Sequence, residues 1–167
     1  MPQGAGREIL TRRLSLVALG PADAAAVLSG ARSAAWAAGY PTPGDVEVAR
    51  WVSAGRFAPR DPRFGPRRII VSDPGLVIGG VGFHGAPRDG VVEIGYGIAP
   101  EWRGQGLGSE VVMAFVAYAF TLAGVRRVTA VADPANVASR RALERAGLVI
   151  DGPAEGALRF ARDRALR

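Results

Sequence analysis

Three glycines within five positions form the most chemically suggestive group in this sequence. The group stands as Arg103-Gly104-Gln105-Gly106-Leu107-Gly108-Ser109. Glycines at this density let the backbone approach a ligand closely and point successive N–H groups at it. An apolar stripe at helical spacing begins inside the group, so a helix N-terminus adds partial positive charge at the same place. The loop therefore favours a phosphate or a pyrophosphate, and a tight turn without a ligand is the alternative.

An alternating stretch precedes this glycine loop. Ile94, Tyr96 and Ile98 point one way, with Glu93 and two glycines between them, which is the two-residue period of a strand. Pro100 removes a backbone donor and should end the strand. The sequence therefore predicts a strand, a glycine loop and a helix in direct succession.

Two other phosphate-binding loops are excluded by the sequence. A Walker loop needs a lysine after its last glycine, and the chain contains no lysine. A Rossmann-type spacing of glycines occurs from Gly80 to Gly85, but turn residues follow it where that motif requires a helix. We interpret the second match as a coincidence in a glycine-rich chain.

The chain as a whole predicts a single mixed α/β domain over residues 1–167. Strands are expected at 8–18, 68–72, 76–83, 93–98, 126–132, 148–151 and 158–161, and helices at 24–28, 45–53, 107–123 and 136–146. Asp45 is expected to cap the second helix, and Gly152-Pro153 to form the last turn. Four strands in series imply an antiparallel meander, within a mostly antiparallel sheet of roughly six or seven strands flanked by about four helices.

The glycine loop in this context resembles a known family. Arg103-x-x-Gly106-x-Gly108 after a strand is similar to the R/Q-x-x-G-x-G/A loop of the GNAT superfamily of N-acetyltransferases. The words VEIGYGI and RGQGLGSE most resemble the branch that includes the ribosomal-protein N-terminal (Rim-type) acetyltransferases. The order of elements is also the GNAT order, so the resemblance spans roughly the whole chain. It implies a GNAT-like α+β fold with acetyl-CoA as co-substrate.

The resemblance also implies which residues hold acetyl-CoA. The loop from Arg103 to Ser109 would bind the pyrophosphate, and the backbone of Tyr96 to Ile98 would pair with the pantetheine arm. Residues 136–148 resemble the second GNAT signature, in which Asn136 would bind the pantetheine region and Arg141 would reach a phosphate. Simpler interpretations remain open, because Asn136 is a good helix N-cap and Arg141 suits a solvated helix face.

The chain departs from the commoner GNAT pattern at Leu143, where many members carry a tyrosine that protonates the departing thiolate. We predict Ser139 as the proton donor or hydrogen-bond partner of the thiolate, with Tyr96 or water as the alternatives. By resemblance Glu93 is the predicted general base, acting through water, although it also suits an ordinary ion pair. His84, the single histidine, is the rival base. Its place beside a hairpin end favours an exposed surface position instead.

The acceptor amine is expected to bind opposite the cofactor, against the broken segment after the first helix. Trp36, Tyr40 and Asp45 are the predicted substrate-binding residues, because aromatic walls and one carboxylate suit a cationic amine. Packing in a core or a lid is the alternative role for the two aromatic residues.

Composition excludes several further functional classes. The chain has no cysteine, which excludes disulfides, thiolate metal sites and a cysteinyl acyl-enzyme, and no metal site is predicted. Its net charge of +6 includes no long run of like charges, so a nucleic-acid-binding arm is not expected. No apolar run approaches the roughly 18 residues that span a bilayer, and the N-terminus lacks the order of a secretory signal. We therefore expect a cytoplasmic protein with no membrane partner.

The predicted function is N-acetyl transfer from acetyl-CoA to a primary amine by direct attack in a ternary complex. The acceptor is a peptide or protein N-terminus, or a small-molecule amine. A catalytically silent acyl-CoA-binding regulatory module is the alternative, suggested by the missing tyrosine. A basic nucleic-acid-binding domain is a third hypothesis, which lacks the aromatic motifs that it requires. Dimers among similar proteins favour a homodimer.

Overall fold

Eight strands and four α-helices make up the part of the chain that the computed structural model describes, residues 8–57 and 61–165. The strands are β1 Ile9–Leu10, β2 Leu14–Ala18, β3 Arg67–Val71, β4 Val77–Phe83, β5 Val91–Ile98, β6 Arg127–Ala132, β7 Val149–Ala154 and β8 Ala157–Asp163. The helices are α1 Pro21–Leu28, α2 Pro43–Ser53, α3 Leu107–Thr121 and α4 Val137–Arg145. Short 3₁₀ turns lie at Pro62–Phe64 and Pro100–Trp102.

The strands form one mixed sheet in the order β1-β2-β3-β4-β5-β6-β8-β7. Strands β2 to β5 are antiparallel neighbours, which confirms the predicted meander. Strand β6 then lies parallel to β5, and β8 and β7 continue antiparallel from it. The mixed, mostly antiparallel α/β sheet is therefore as predicted, with eight strands where six or seven were expected. The extra strand arises because a turn divides the predicted first strand into β1 and β2.

The predicted cap of α2 and the predicted last turn are wrong. The N-cap of α2 is Thr42, and Asp45 lies at the third helical position, where its Oδ2 accepts from the Thr42 N–H at 2.8 Å. This reciprocal arrangement is a capping box. Threonine and aspartate are both common N-cap residues, so the sequence alone does not show which of the two is the cap. The last turn lies between Ala154 and Ala157, since β7 runs through Gly152-Pro153 with a shift of register. A proline is tolerated there because β7 is the edge strand.

The main core lies between the sheet and α3. Phe83 of β4 stacks against Phe115 of α3, with ring centroids 4.6 Å apart, and Phe64 approaches Phe83 from the other side at 5.4 Å. The α3 face of β5 carries Val92, Ile94, Tyr96 and Ile98. Large apolar side chains thus occupy one face of the central strands.

The opposite face of the same strands is nearly free of side chains. Because side chains alternate along a strand, Gly80, Gly82 and His84 of the β4 segment share this face with Glu93, Gly95 and Gly97 of β5. Helix α2 lies over it, since a Cβ placed on Gly80 would lie 2.8 Å from the Asp45 Oδ1. The central strands therefore have a core face and a glycine face.

Gly79 is expected to be the least replaceable glycine of this strand pair. A Cβ at position 79 would lie 2.0 Å from the carbonyl oxygen of Gly97, a backbone atom that cannot rotate away. Gly79→Ala should therefore lower the free energy of unfolding by about 1–3 kcal/mol or more. The measurement is urea-induced unfolding of wild type and variant.

Gly97→Ala is the matched control, because its Cβ would meet nothing nearer than the Thr42 Oγ1 at 4.0 Å. Its stability should stay within about 0.5 kcal/mol of wild type. Equal losses in the two variants would contradict the steric explanation.

Candidate functional site

A gap opens between the two central strands β5 and β6. Their parallel pairing covers Val91 to Ile94 of β5 and Arg127 to Ala130 of β6. Beyond this point β5 continues to Ile98 beside β4, while β6 continues to Ala132 beside β8. The two strands therefore part in the middle of the sheet.

The backbone of β5 is oriented so that N–H groups face this gap. The His84 N–H donates to the Glu93 carbonyl and the Ala99 N–H donates to the Ile78 carbonyl, so the odd-numbered residues of β5 bond to β4. Peptide groups alternate in direction along a strand, so the N–H groups of Tyr96 and Ile98 point to the opposite side. They can bond an extended ligand as an added strand would.

The predicted glycine loop lies at the end of this gap. Gly104 and Gly106 have φ of 76° and 77°, the left-handed region in which glycine carries no steric penalty. Gly106 is the N-cap of α3 and has no side chain to cap it, so the N–H groups of the first turn are available to an anion. The Arg103 Nε donates to the Ile98 carbonyl at 2.7 Å, which ties the loop to the end of β5.

A cluster that the sequence did not suggest holds the loop from the other side. Glu110, in the first turn of α3, accepts from the Thr11 hydroxyl at 2.6 Å and from the Arg13 Nε at 2.7 Å. The Arg13 Nη1 donates to the Gln105 carbonyl at 3.0 Å. Burial opposes ionisation of Glu110, but these hydrogen bonds outweigh it and lower its pKa. The turn between β1 and β2 thus fixes the glycine loop.

Helix α4 forms the far wall of the gap. The Asn136 Oδ1 accepts from the Ser139 N–H at 3.0 Å, so Asn136 is the helix N-cap. Arg141 is exposed on this helix. Arg145, which the sequence did not single out, donates from Nη1 to the Ser109 hydroxyl at 3.3 Å and links α4 to α3.

Two hydroxyl groups meet beside the gap. The Tyr96 hydroxyl lies 2.9 Å from the Ser139 Oγ. Burial raises the pKa of Tyr96, and the hydrogen bond with Ser139 offsets part of that rise. Leu143 is fully buried in the main core, so the residue that replaces the usual tyrosine is a packing residue. The structure brings together the two side chains that the sequence offered as alternative proton donors.

The glycine face carries a hydrogen-bonded pair of side chains and a cavity. His84 and Glu93 lie opposite each other on β4 and β5, with Nδ1 2.7 Å from a carboxylate oxygen. A cavity of about 260 Å³ lies over the neighbouring glycines. Its lining includes the predicted residues Tyr40 and Asp45, while Trp36 is absent from that lining and packs edge-on against Tyr40, with ring centroids 5.3 Å apart.

The cavity combines apolar walls with a few polar groups. Leu19, Val48, Trp51 and Phe57 contribute apolar surface, and Arg68 is also part of the lining. Its Nη1 bonds the Asp23 carboxylate at 2.8 Å.

Two titratable groups of the lining have raised pKa values. Burial raises the pKa of Asp45, and hydrogen bonds from Thr42 offset part of that rise. Burial, followed by the negative charge of Asp45, raises the pKa of Tyr40. The lining thus offers hydrogen-bonding groups in a largely apolar surrounding, as small-molecule sites usually do.

Neither a metal site nor a membrane span is evident in residues 8–57 and 61–165. These residues contain no cluster of three or more histidine, aspartate or glutamate side chains suited to a metal ion. None of their helices is both long enough and apolar enough to cross a bilayer.

The family model described as acetyltransferase (GNAT) domain matches residues 13–149. The chain is 42% identical over 78 residues to the uncharacterized N-acetyltransferase YoaA of Bacillus subtilis, and the match covers 46% of this chain and 44% of the relative. The chain therefore spans less than half the length of that relative.

Solved structures show the same fold over nearly the whole chain. A GNAT-family acetyltransferase of Bordetella pertussis superposes with a TM-score of 0.70 at 23% identity, over 93% of this chain and 99% of the other. The ribosomal L7/L12 α-N-protein acetyltransferase RimL in complex with coenzyme A superposes with a TM-score of 0.67 at 18% identity, over 94% and 98%. Their likeness at this identity is a likeness of fold.

Glu110 is expected to stabilise the fold in a pH-dependent way. Its pKa is lowered in the folded chain, so its contribution is present above the ordinary glutamate value of 4.5 and is lost as the pH falls through the lower folded value. Glu110→Gln should lower the free energy of unfolding by about 1–3 kcal/mol at neutral pH. The difference from wild type should shrink below pH 4.5, as measured by urea unfolding at several pH values.

Glu144→Gln removes an exposed carboxylate of α4 and serves as the control, with no comparable pH-dependent loss. A Glu110→Gln deficit that is the same at every pH would show that charge at Glu110 is not what stabilises the loop.

Proposed function

The chain belongs to the GNAT acetyltransferase family, and from this premise we propose that it moves the acetyl group of acetyl-CoA to a primary amine. The amine attacks directly, with both substrates bound. The gap between β5 and β6 carries the proposal, because the glycine loop lies at its end and the cavity lies on the glycine face of β5. A cofactor and an acceptor can thus approach one strand from two sides.

In this proposal the cofactor lies along the gap. The first-turn N–H groups of α3, from Leu107 to Ser109, bind the pyrophosphate together with the backbone of Gly104 to Gly106. The N–H groups of Tyr96 and Ile98 bond the pantetheine arm, and one of them polarises the thioester carbonyl. Support comes from their orientation toward the gap. Arg103 acts through its backbone, since its side chain bonds the Ile98 carbonyl.

Helix α4 completes the proposed cofactor site. The Oδ1 of Asn136 is used by the helix cap, which leaves its amide NH₂ to donate to the pantetheine region. Arg141 is exposed and can approach a phosphate of the cofactor.

The acceptor amine occupies the cavity in this proposal. Tyr40 and Asp45 supply the polar groups that orient the acceptor, and the aromatic ring of Trp36 supports Tyr40 from behind. Both a peptide N-terminus and a small amine fit this chemistry. The name of the RimL structure, an α-N-protein acetyltransferase, favours the peptide N-terminus.

A silent acyl-CoA-binding module remains the second candidate, because Leu143 stands where a tyrosine is usual. The paired hydroxyls of Tyr96 and Ser139 weigh against it, since they offer a proton to the thiolate by another route. A homodimer and a cytoplasmic location stay predictions.

Thiol release from acetyl-CoA against a panel of amines tests the function. The panel contains short peptides with varied N-termini, polyamines, aminoglycosides and free amino acids. Release with one class identifies the acceptor, whereas tight binding of acetyl-CoA without release from any amine would favour the silent module.

Gly106→Ala tests the cofactor loop by coenzyme A binding, with Gly124→Ala as its matched control. Both glycines have left-handed φ, 77° and 83°, so each alanine should cost about 1–2 kcal/mol of stability. Only Gly106→Ala should weaken coenzyme A binding, by about tenfold or more, because loss of one charged hydrogen bond is worth roughly 1.5–3 kcal/mol. Calorimetry measures both the stability of each variant and its affinity for coenzyme A. Equal affinity of the two variants would refute the assignment of the loop.

Tyr96→Phe and Ser139→Ala test the proposed route of the proton to the thiolate. Each should lower kcat by about 10²-fold with little change in the KM of acetyl-CoA, because a proton donor acts in the transition state. The double variant should be little worse than the poorer single variant, since the two hydroxyls act as a unit.

Ser29→Ala, which removes a hydroxyl at the end of α1, is the control and should retain wild-type turnover. Full activity of Ser139→Ala or Tyr96→Phe at every pH would remove that residue from the route.

A further inference from the structure

His84 and Glu93 form a pair in which one side chain lines the cavity and the other does not. Both side chains project from the glycine face, and they are 50% and 38% exposed. His84 is part of the cavity lining, together with Gly95 and Gly97. Glu93 is absent from that lining, which consists of described residues. Of the two side chains, the histidine is thus the one that lines the cavity.

The contact with Glu93 determines which ring nitrogen of His84 can accept a proton. An ionised carboxylate only accepts hydrogen bonds, so Nδ1, 2.7 Å from the Glu93 oxygen, must carry the hydrogen. In the neutral ring the other nitrogen, Nε2, then bears the free lone pair. Glu93 therefore selects the tautomer in which Nε2 is a base.

The position of Nε2 brings this lone pair to the strand beside the gap. A Cβ placed on Gly95 would lie 2.6 Å from Nε2, so the ring lies directly over the backbone of that residue. Gly95 follows Ile94, the last residue of β5 that pairs with β6, and precedes Tyr96, whose N–H faces the gap. A side chain at position 95 would displace the ring from this position.

Other titratable groups share the cavity with His84. Asp45 and Glu47 come from α2, Arg67 and Arg68 from β3, and Tyr40 from the segment before α2. Arg67 is 2% exposed and donates to the Leu16 carbonyl and the Tyr118 hydroxyl. Within the described residues, Glu93 supplies the side-chain hydrogen bond to the histidine ring.

We propose that the Nε2 of His84 takes the proton from the acceptor amine, and that Glu93 is a positioning residue that holds the ring. The inference rests on the proposed acetyl transfer. As the amine nitrogen bonds to the acetyl carbon, its N–H proton passes to Nε2 and the carbon–sulfur bond breaks. The thiolate leaves with its electron pair and takes a proton from the Tyr96–Ser139 hydroxyl pair, which solvent restores. The imidazolium is stabilised by Glu93 and returns its proton to solvent.

The first test compares His84→Ala and Glu93→Gln, using the amine of the panel that gives the fastest thiol release. His84→Ala should lower kcat by about 10²–10⁴-fold, and Glu93→Gln by less, because a glutamine oxygen still accepts from Nδ1–H. The advantage of wild type over His84→Ala should shrink as the pH is lowered, because a protonated imidazole cannot take the proton of the amine. Wild type and variants are assayed with the same amine, so the titration of that amine affects all of them equally.

Added imidazole should restore part of the activity of His84→Ala, because it can occupy the space of the lost ring. Glu155→Gln, in the exposed turn between β7 and β8, is the control and should behave as wild type. A pH-independent loss without rescue would indicate a structural role and overturn the proposal. A loss confined to Glu93→Gln would do the same and make Glu93 the base.

A second test needs no turnover. His84 is the single histidine, so isotope-labelled protein gives one set of ring-nitrogen NMR signals. The neutral ring should carry its hydrogen on Nδ1 in wild type and lose that preference in Glu93→Ala. A hydrogen on Nε2 in wild type would overturn the proposal.

Different results would overturn the role of His84 and the proposed acetyl transfer. Wild-type thiol release with an unaffected His84→Ala variant would overturn the role of His84 and leave the acetyltransferase standing. Absence of release by wild type with every amine would overturn both.

Discussion

The early end of the pairing between β5 and β6 is the constraint on which the site depends. Four residues of β5 pair with β6, and the rest of the strand has a partner only on the β4 side. A buried N–H without a partner costs about 1–3 kcal/mol, so the free edge is stabilised by any ligand that supplies carbonyl groups along it. Arg103 bonds the Ile98 carbonyl at the far end, which leaves mainly donors facing the gap. The same geometry therefore makes the site and selects the polarity of its ligand.

A second constraint follows from the two faces of β4 and β5. Phe83, Ile94 and Tyr96 fill the core face, so the strands are fixed by packing that a ligand does not disturb. On the other face, Gly80, Gly82, Gly95 and Gly97 expose backbone to the cavity. Gly80 and Gly82, which belong to a glycine spacing that is not a dinucleotide loop, thus form part of the floor of the cavity. Rigid support and an open floor come from the same residues because side chains alternate along a strand.

Local patterns in the sequence were sufficient for the strand, glycine loop and α3, for the meander, and for Asn136 as a helix cap. They failed where contacts join distant segments. Glu110 meets Thr11 and Arg13 across nearly a hundred positions, and no periodicity reports such a contact. The pairing of His84 with Glu93 was also out of reach, because the bridge of Arg88 with Val91 at the turn would by itself place His84 opposite Gly95, and the register shifts before the β4–β5 ladder begins.

The position of Tyr96 explains how the site can work without the tyrosine that Leu143 replaces. Tyr96 lies on β5, so its backbone N–H faces the gap and its hydroxyl reaches the same region from the core face. A hydroxyl whose pKa is raised by burial stays protonated at neutral pH and keeps a hydrogen to donate toward the departing thiolate. In the proposed reaction one residue then serves both the carbonyl oxygen and the leaving sulfur, while Gly95 beside it leaves room for the base. Position 143 is thereby free for a buried leucine, because the proton reaches the sulfur from the strand.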